Sequence, residues 1–554
     1  NAGTIRNNYI SDFRRNAIFL DYFNGAWEIA YNSIFMTEPT PELIQYIIQT
    51  STLQNENCVV NIHHNTIGGS APDNSGLWVS TGNATMYGIY IGLHSTTLPG
   101  YIADNTVKNV QINGTTGTIF GAIFVLRGLV HITNNLVTDL SSPVTTNAGL
   151  QGIRLSSFTN GCTIIGNTVR NLVINSPGGT DLTATISASA FTGIMLDGQA
   201  QNLVVSDNVV HNLSRANTGQ VDASVVGIEL NTQSSTGIVT RNRVYDLFVL
   251  STKTVNAKQA MAGIRITYGI WTVSNNQVSL TNGTNTNFCR VFGVIDNSWL
   301  QTTNSANTNW YFNSVYVGGT PGESNAYSAA FACYSGNART VRLRNNIFYN
   351  ERTNTGTATG NHYAYYMGVV PVSFTTNYNM LVPQNAATVA YNAGVDKTFA
   401  AWQAVAGYDL QSIYGLNTTY LADTLFLAKG GGNLNIAIGY PVINNMAVTG
   451  TGVTVDYNNT TRAANPDIGS CEFSSFAGVI TGSPATAVTT TGAVVPGTVS
   501  PANESVTGVF EYGPTPAYGQ SVAWSPTPVT GTAPVGVTAT LSGLLPGTLY
   551  HYRI

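Results

Sequence analysis

The chain has 554 residues, of which only 9% are charged, against a usual share near ~25%. Twenty-two basic and twenty-six acidic residues give a net charge of −4, which leaves no basic field for nucleic acid and no polybasic membrane patch. A hydrophobic share of 43% argues against a disordered chain, and no run of ~18 apolar residues is present to span a bilayer.

Fifty-six glycines, many Asn, Thr and Val, and few Lys or Glu predict β-structure with polar, uncharged turns. The five cysteines, Cys58, Cys162, Cys289, Cys333 and Cys471, lie at no metal-ligand spacing and are too few for a disulfide framework. No metal and no cofactor is expected. The first residue is Asn1 with no signal segment after it, so the chain reads as a piece of something longer or a processed product.

From residue 8 a short Asn-x-apolar pattern recurs. Its asparagines are Asn8, Asn32, Asn65, Asn105, Asn135, Asn167, Asn208, Asn242, Asn276, Asn313, Asn346 and Asn379. Their spacing averages about 34 residues, the signature of a repeat architecture. Between Asn105 and Asp246 the pattern tightens to Asn-x-Val-x-(Asn/Asp)-(Leu/Val), with Asn109, Asp139, Asn171, Asn212 and Asp246 in fifth place. A second marker, Gly-apolar-x-apolar, starts at Gly88, Gly121, Gly152, Gly193, Gly227 and Gly263, 13 to 17 residues before the next asparagine. Its alternation predicts short strands with one buried face, and no unit has a helical period. Units of this size bury their apolar side only by stacking coaxially, about 4.8 Å apart. Asparagine tolerates φ > 0, and its amide can bond the matching amides one coil above and below. A ladder of asparagines is therefore expected in preference to independent surface turns.

On these residues, among them CTIIGNTVRNL from Cys162 and IVTRNRVYDL from Ile238, the chain resembles the right-handed parallel β-helix family, the pectate-lyase-like solenoids, over residues 1–383. The resemblance implies a fold and no single activity, since that fold hosts lyases, hydrolases, phage spikes and adhesins alike.

Residues 384–476 are expected to close the solenoid. Phe399, Trp402, Val405 and Leu410 suit a short amphipathic helix or turn. The stretch Asp456, Arg462, Pro466, Asp467, Ile468, Gly469, Glu472 resembles the C-terminal closure of bacterial secreted β-helix proteins, with Ser470 and Cys471 as departures. Arg462 and Asp467 are read as an ion pair that caps the open end, because uncapped strand edges aggregate; the rival reading makes them a binding pair. Residues 477–554 alternate in short strands rich in Thr, Val, Pro and Gly, as in a β-sandwich. Leu544, Pro546, Gly547, Thr548 and Tyr550 resemble the tyrosine-corner segment of a fibronectin type III-like module, whose hydroxyl bonds back to nearby backbone. The EYG segment at Glu511 and Tyr552 fit the same module, which stops at Ile554 before its last strand, so it is read as truncated. The expected fold class is thus all-β, a right-handed parallel β-helix solenoid followed by a β-sandwich.

Aligning the strands on their glycines gives an outward column of Tyr90, Ile123, Arg154, Met195, Glu229 and Arg265, with Gly92, Val125, Ser156, Asp197, Asn231 and Thr267 two residues on. Glu229 and Arg265 should be neighbours, and Asp197 should sit diagonally from Glu229 at ~8 Å. Glycoside hydrolysis generally needs two carboxylates, and this is the one place where two converge with an arginine. Asp197, Glu229 and Arg265 are therefore the candidate ligand-binding set. The competing reading is a solvated ladder with one cross-strand salt bridge, and no catalytic residue is assigned. No Asp-Asp pair or Gly-His-Gly run is present.

His63-His64 reads as a turn pair, and His94, His131, His211 and His362 as partly buried or solvent-facing side chains. The triple glycine at 430–432 lacks the Lys-Ser/Thr of a phosphate loop. The Asn-x-Ser/Thr triplets at Asn83, Asn113, Asn212 and Asn282 arise readily by chance in such a composition. The expected function is an extracellular structural or adhesive surface protein, self-assembling into a filament or layer, with copies of itself, other surface proteins or glycans as partners. The alternatives are a surface-tethered polysaccharide lyase or glycoside hydrolase, or a non-catalytic carbohydrate-binding protein in which an exposed ring such as Tyr90 stacks on sugar.

Overall fold

The structure is a computed structural model. It describes the chain apart from residues 1, 41–43, 52–57, 84, 115–117, 144–147, 158–159, 177–181, 183–190, 217–222, 233–234, 251–259, 282–288, 298–306, 322–324, 335–338, 438–440, 474–477, 483, 502–504 and 532–533. Asn282 falls outside the described residues. No helix among those described is long and apolar enough to cross a membrane.

Three sheets of parallel strands wind around one lumen, each growing by one strand per coil apart from an antiparallel last strand, Val395–Lys397, in one and an additional strand, Trp78–Ser80, in another. Sheet A has 12 strands, from Gly3–Arg6 to Ser373–Asn377; sheet B has 14, beginning at Tyr9–Ser11; sheet C has 13, beginning at Ile18–Leu20. The parallel β-solenoid read from the repeat is present. Ile, Val and Leu at alternate strand positions fill the lumen as one continuous core.

The asparagine ladder stands at every step. Each Asn Nδ2 donates to the Oδ1 of the next at 2.9 or 3.0 Å, from Asn8 to Asn379. The same Oδ1 accepts the backbone N–H of the preceding asparagine, as in Asn167 to Asn208. The second Nδ2 hydrogen reaches a carbonyl one coil back, as from Asn208 to Ile164. Every donor and acceptor of a buried amide is thereby used, which a fully buried polar side chain requires. The left-handed φ is carried by a different residue from the one expected. It falls on the residue just before each ladder asparagine, including Tyr31, Asp104, Arg241 and Phe312, and on the fifth-place residues Asn109, Asp139, Asn171, Asn212 and Asp246.

The two sequence markers keep step because they touch. A Cβ on Gly227 would lie 2.4 Å from Val244 Cγ1, and one on Gly193 2.4 Å from Val210 Cγ1. Those valines stand two residues after Asn242 and Asn208, so the Val of one marker fills the space that the Gly of the other leaves. Gly293 continues the series against Val315, a repeat that the marker missed. Gly121 does not belong to it. Gly121 pairs with Tyr87 and Gln151, so Ala122 takes the slot. The residue beside Tyr90 and Arg154 in the outward row is accordingly Phe124 and not Ile123.

The segment after the last coil does two separate things. Helix Phe399–Ala406, capped by Thr398 and ended by Gly407 in the left-handed region, inserts Trp402 into the end of the lumen. Asp409 terminates the ladder there, accepting from Asn379 Nδ2 at 3.2 Å and from Trp402 Nε1 at 2.9 Å. Val405 and Leu410, expected on the apolar face, are exposed. Residues 422–437 and 441–473 then run back along the outside of sheet B as a strap, packing Phe426, Leu434, Ile443 and Ile468 on Tyr316, Ile347, Tyr349 and Met380. Arg462 therefore caps no open end, and its ion-pair partner is Glu472 at 2.6 Å rather than Asp467. It also donates to Asn275 Oδ1 and lies over the Phe312 ring, fastening the strap to the flank. Asp467 instead accepts the N–H groups of Asn445 and Phe473.

Residues 478–553 form two three-stranded antiparallel sheets around a small core that includes Val499, Phe510, Trp524 and Val537. The Leu545 N–H donates to the Tyr550 hydroxyl at 3.2 Å.

Candidate functional site

The outward face of sheet C carries the candidate residues. Its strands turn two consecutive residues inward at the slot, Gly88 and Ile89 for example, so Tyr87 and Tyr90 both point out. The predicted register holds from Arg154 onward, which pairs with Met195, then Glu229, then Arg265.

Glu229 and Arg265 meet at 2.5 Å, and both side chains are 0% exposed. The expectation of a solvated row fails at this point. Leu182, Val226, Ala262, Phe292 and Ile295 form an apolar layer on the outside of the same sheet. A pair sealed this way satisfies its own charges and offers none to a substrate.

Asp197 does not join it. Its Oδ2 takes Arg154 Nη2 instead, in a pair whose side chains are 23% (Arg154) and 13% (Asp197) exposed. Among the described residues the buried Asp197 Oδ1 accepts no hydrogen bond and the buried Arg154 Nε donates none. Of the three candidates, then, the structure brings two together under cover and leaves the third in another pair.

Beyond Arg154 the face opens onto aromatic rings that strand alignment on glycine did not gather. Arg154 Cζ lies 5.2 Å above the Phe124 ring. Phe124 is 4.9 Å from Tyr87 and stacks on Tyr90 at 5.3 Å. Tyr46 stacks on Tyr87 at 5.6 Å with only 12° between planes. Partial burial holds the Tyr87 and Tyr90 hydroxyls above their ordinary pKa, so both are neutral donors at physiological pH. The signal available in the sequence was the Tyr immediately before Gly88, which a two-residue inward step turns to the same side as Tyr90. Chemically this end of the face is a ring platform bordered by one guanidinium and one carboxylate.

The other candidates are structural. His63 bonds Glu28 Oε1 at 3.1 Å, and His64 stacks on Tyr31. His362 lies inside the coil between Ser328 and Asn354, its pKa pushed down to about 3 by burial first and Arg352 second. All five cysteines are free and buried. Among the described residues no group of three His, Cys, Asp or Glu could hold a metal ion. No protein-family description matches the chain, and no curated protein and no solved structure matches it.

Proposed function

We propose that the chain is an extracellular, non-catalytic surface protein of structural and adhesive character, which holds glycan on the open ring platform of sheet C. The observation that carries this reading is the contrast on that face: the acidic residue best placed for acid/base work, Glu229, is sealed and neutralised by Arg265, whereas Tyr46, Tyr87 and Tyr90 are partly exposed beside Arg154. An acid or base must come within hydrogen-bond reach of the proton it moves. Sugar rings need less: an apolar ring surface plus a few fixed polar groups. The low charge of the chain favours neutral over strongly anionic glycans. The pectate-lyase-like and fibronectin type III-like assignments, and a bacterial cell surface as location, belong to the same proposal; the Leu545–Tyr550 bond supports the second.

The test is a glycan array run alongside a product assay. Binding to at least one neutral glycan, weakened about tenfold or more by Tyr90→Ala, with no product released, is the expected outcome. Product formation that Asp197→Asn abolishes would replace this reading by the polysaccharide lyase or hydrolase.

A further inference from the structure

Sheet A carries a row of partly or fully exposed side chains along its outward face. Its outward row starts at Thr4 and ends at Thr375, one residue per coil, in register at every step. Read from the two ends inward, the row matches itself over its three outermost pairs. Thr4 answers Thr375, Glu28 answers Arg342, and Asn61 answers Asn309. Next come Tyr101 with Thr272 and His131 with Ile238, and Thr163 and Val204 meet at the middle. The only opposite charges in the row stand at equal distances from its centre. Tyr101 and Ile238 between them are 44% and 45% exposed.

From this we infer that two copies of the chain pair face to face through sheet A, antiparallel, about a two-fold axis between the coils of Thr163 and Val204. Such an axis is isologous, so one surface must complement itself, and the row does. It sets Arg342 of each copy against Glu28 of the other. Among the described residues Arg342 has no carboxylate of its own and only donates to Asn309 Oδ1 at 3.3 Å. Glu28 holds His63 at 3.1 Å and Arg6 at 3.8 Å and keeps room for a further donor. A parallel pairing would instead bring Arg342 onto Arg342. Twelve strands at ~4.8 Å and about three residues of width give ~600 Å² per copy. The total of ~1,200 Å² is at the lower edge of stable interfaces, which predicts a dimer of micromolar affinity that salt weakens. The inference deepens the structural half of the proposed function and is independent of the glycan half.

Sedimentation velocity from about 1 to 200 µM tests it. The expected result is a monomer–dimer equilibrium, at least tenfold weaker in Arg342→Glu and restored in Glu28→Arg with Arg342→Glu. Mixing chains that carry Thr163→Cys with chains that carry Val204→Cys should give a covalent dimer on mild oxidation, since the native cysteines are buried. This arm needs no charge change near the open end of the solenoid. A strict monomer at 200 µM, or a charge swap that leaves the dimer weakened together with no cross-link, would overturn the inference. Tyr90→Ala should leave the dimer unchanged, which keeps a failure of the glycan reading distinct.

Discussion

Arg154–Asp197 and Glu229–Arg265 are ion pairs from successive coils on the outside of one sheet; Arg154, Glu229 and Arg265 share an outward row, and Asp197 lies two residues beyond it. The first is partly wet and borders aromatic rings; the second is sealed beneath an apolar layer. Their chemistry differs through cover alone. A pair still in contact with water keeps part of its charge open to a ligand and adds less to stability, whereas a buried pair is committed to itself and its loss is costly.

The largest test of that contrast is to break the sealed pair. Glu229→Gln should lower stability by about 3–5 kcal/mol by leaving a buried guanidinium unpaired, while replacing both residues by Met and Leu should come close to neutral; urea denaturation reads both. Next comes the ladder, which is sealed in the same sense. Asn208→Ala strands the two donors of Asn167, leaves Asn242 Oδ1 with only the backbone N–H of residue 208, and should cost about 3 kcal/mol by the same assay. Asn8→Ala, at an exposed ladder position, should cost under about 1 kcal/mol because water replaces what it loses.

A smaller effect is expected from filling the slot under the sealed pair. Gly227→Ala should cost about 1–3 kcal/mol, since its methyl meets Val244 and the Gly263 carbonyl, whereas Gly430→Ala, in open space, should be silent. Asp467 is an intermediate case, a largely buried carboxyl whose neighbour Arg462 is taken by Glu472. Burial raises its pKa from 3.8 to about 6. The native state then binds the extra proton between those values, so stability should fall as pH rises across that window and flatten above it. Thermal melts should show this slope in the native chain and lose it in Asp467→Asn. The smallest stability change belongs to the open pair. Arg154→Met should shift stability by under about 1 kcal/mol yet reduce glycan binding on the array.

Much of the fold was legible because its determinants are local and repeated. The asparagines, the valine two residues on and the slot glycine recur within each coil, so spacing alone aligned Arg154, Met195, Glu229 and Arg265 correctly. Gly121 misled because alanine also fits the slot, and the true slot residue there, Ala122, carries no turn or polar mark. The cover over Glu229 and Arg265 was not legible, since the apolar layer is assembled from residues as far apart as Leu182 and Tyr363. Nor was the lateral course of the strap, whose acid–base motif reads equally well as an end cap until Asn275 and Phe312 are seen beneath Arg462.

The residue ahead of each ladder asparagine sits in the left-handed region whether it is Asn, Asp, Tyr, His, Arg or Phe. Hydrogen bonds from its neighbour impose that backbone shape, so away from the strap, which Asn275, Phe312 and Asn345 hold, the side chain itself is left without a folding duty. The corner of the solenoid is in effect a line of blank type set at strand pitch. Mutation can respell it one letter per coil, as the Arg241–Asp207 bridge and the Tyr31–His64 stack already do, while the text of the interior stays as it was.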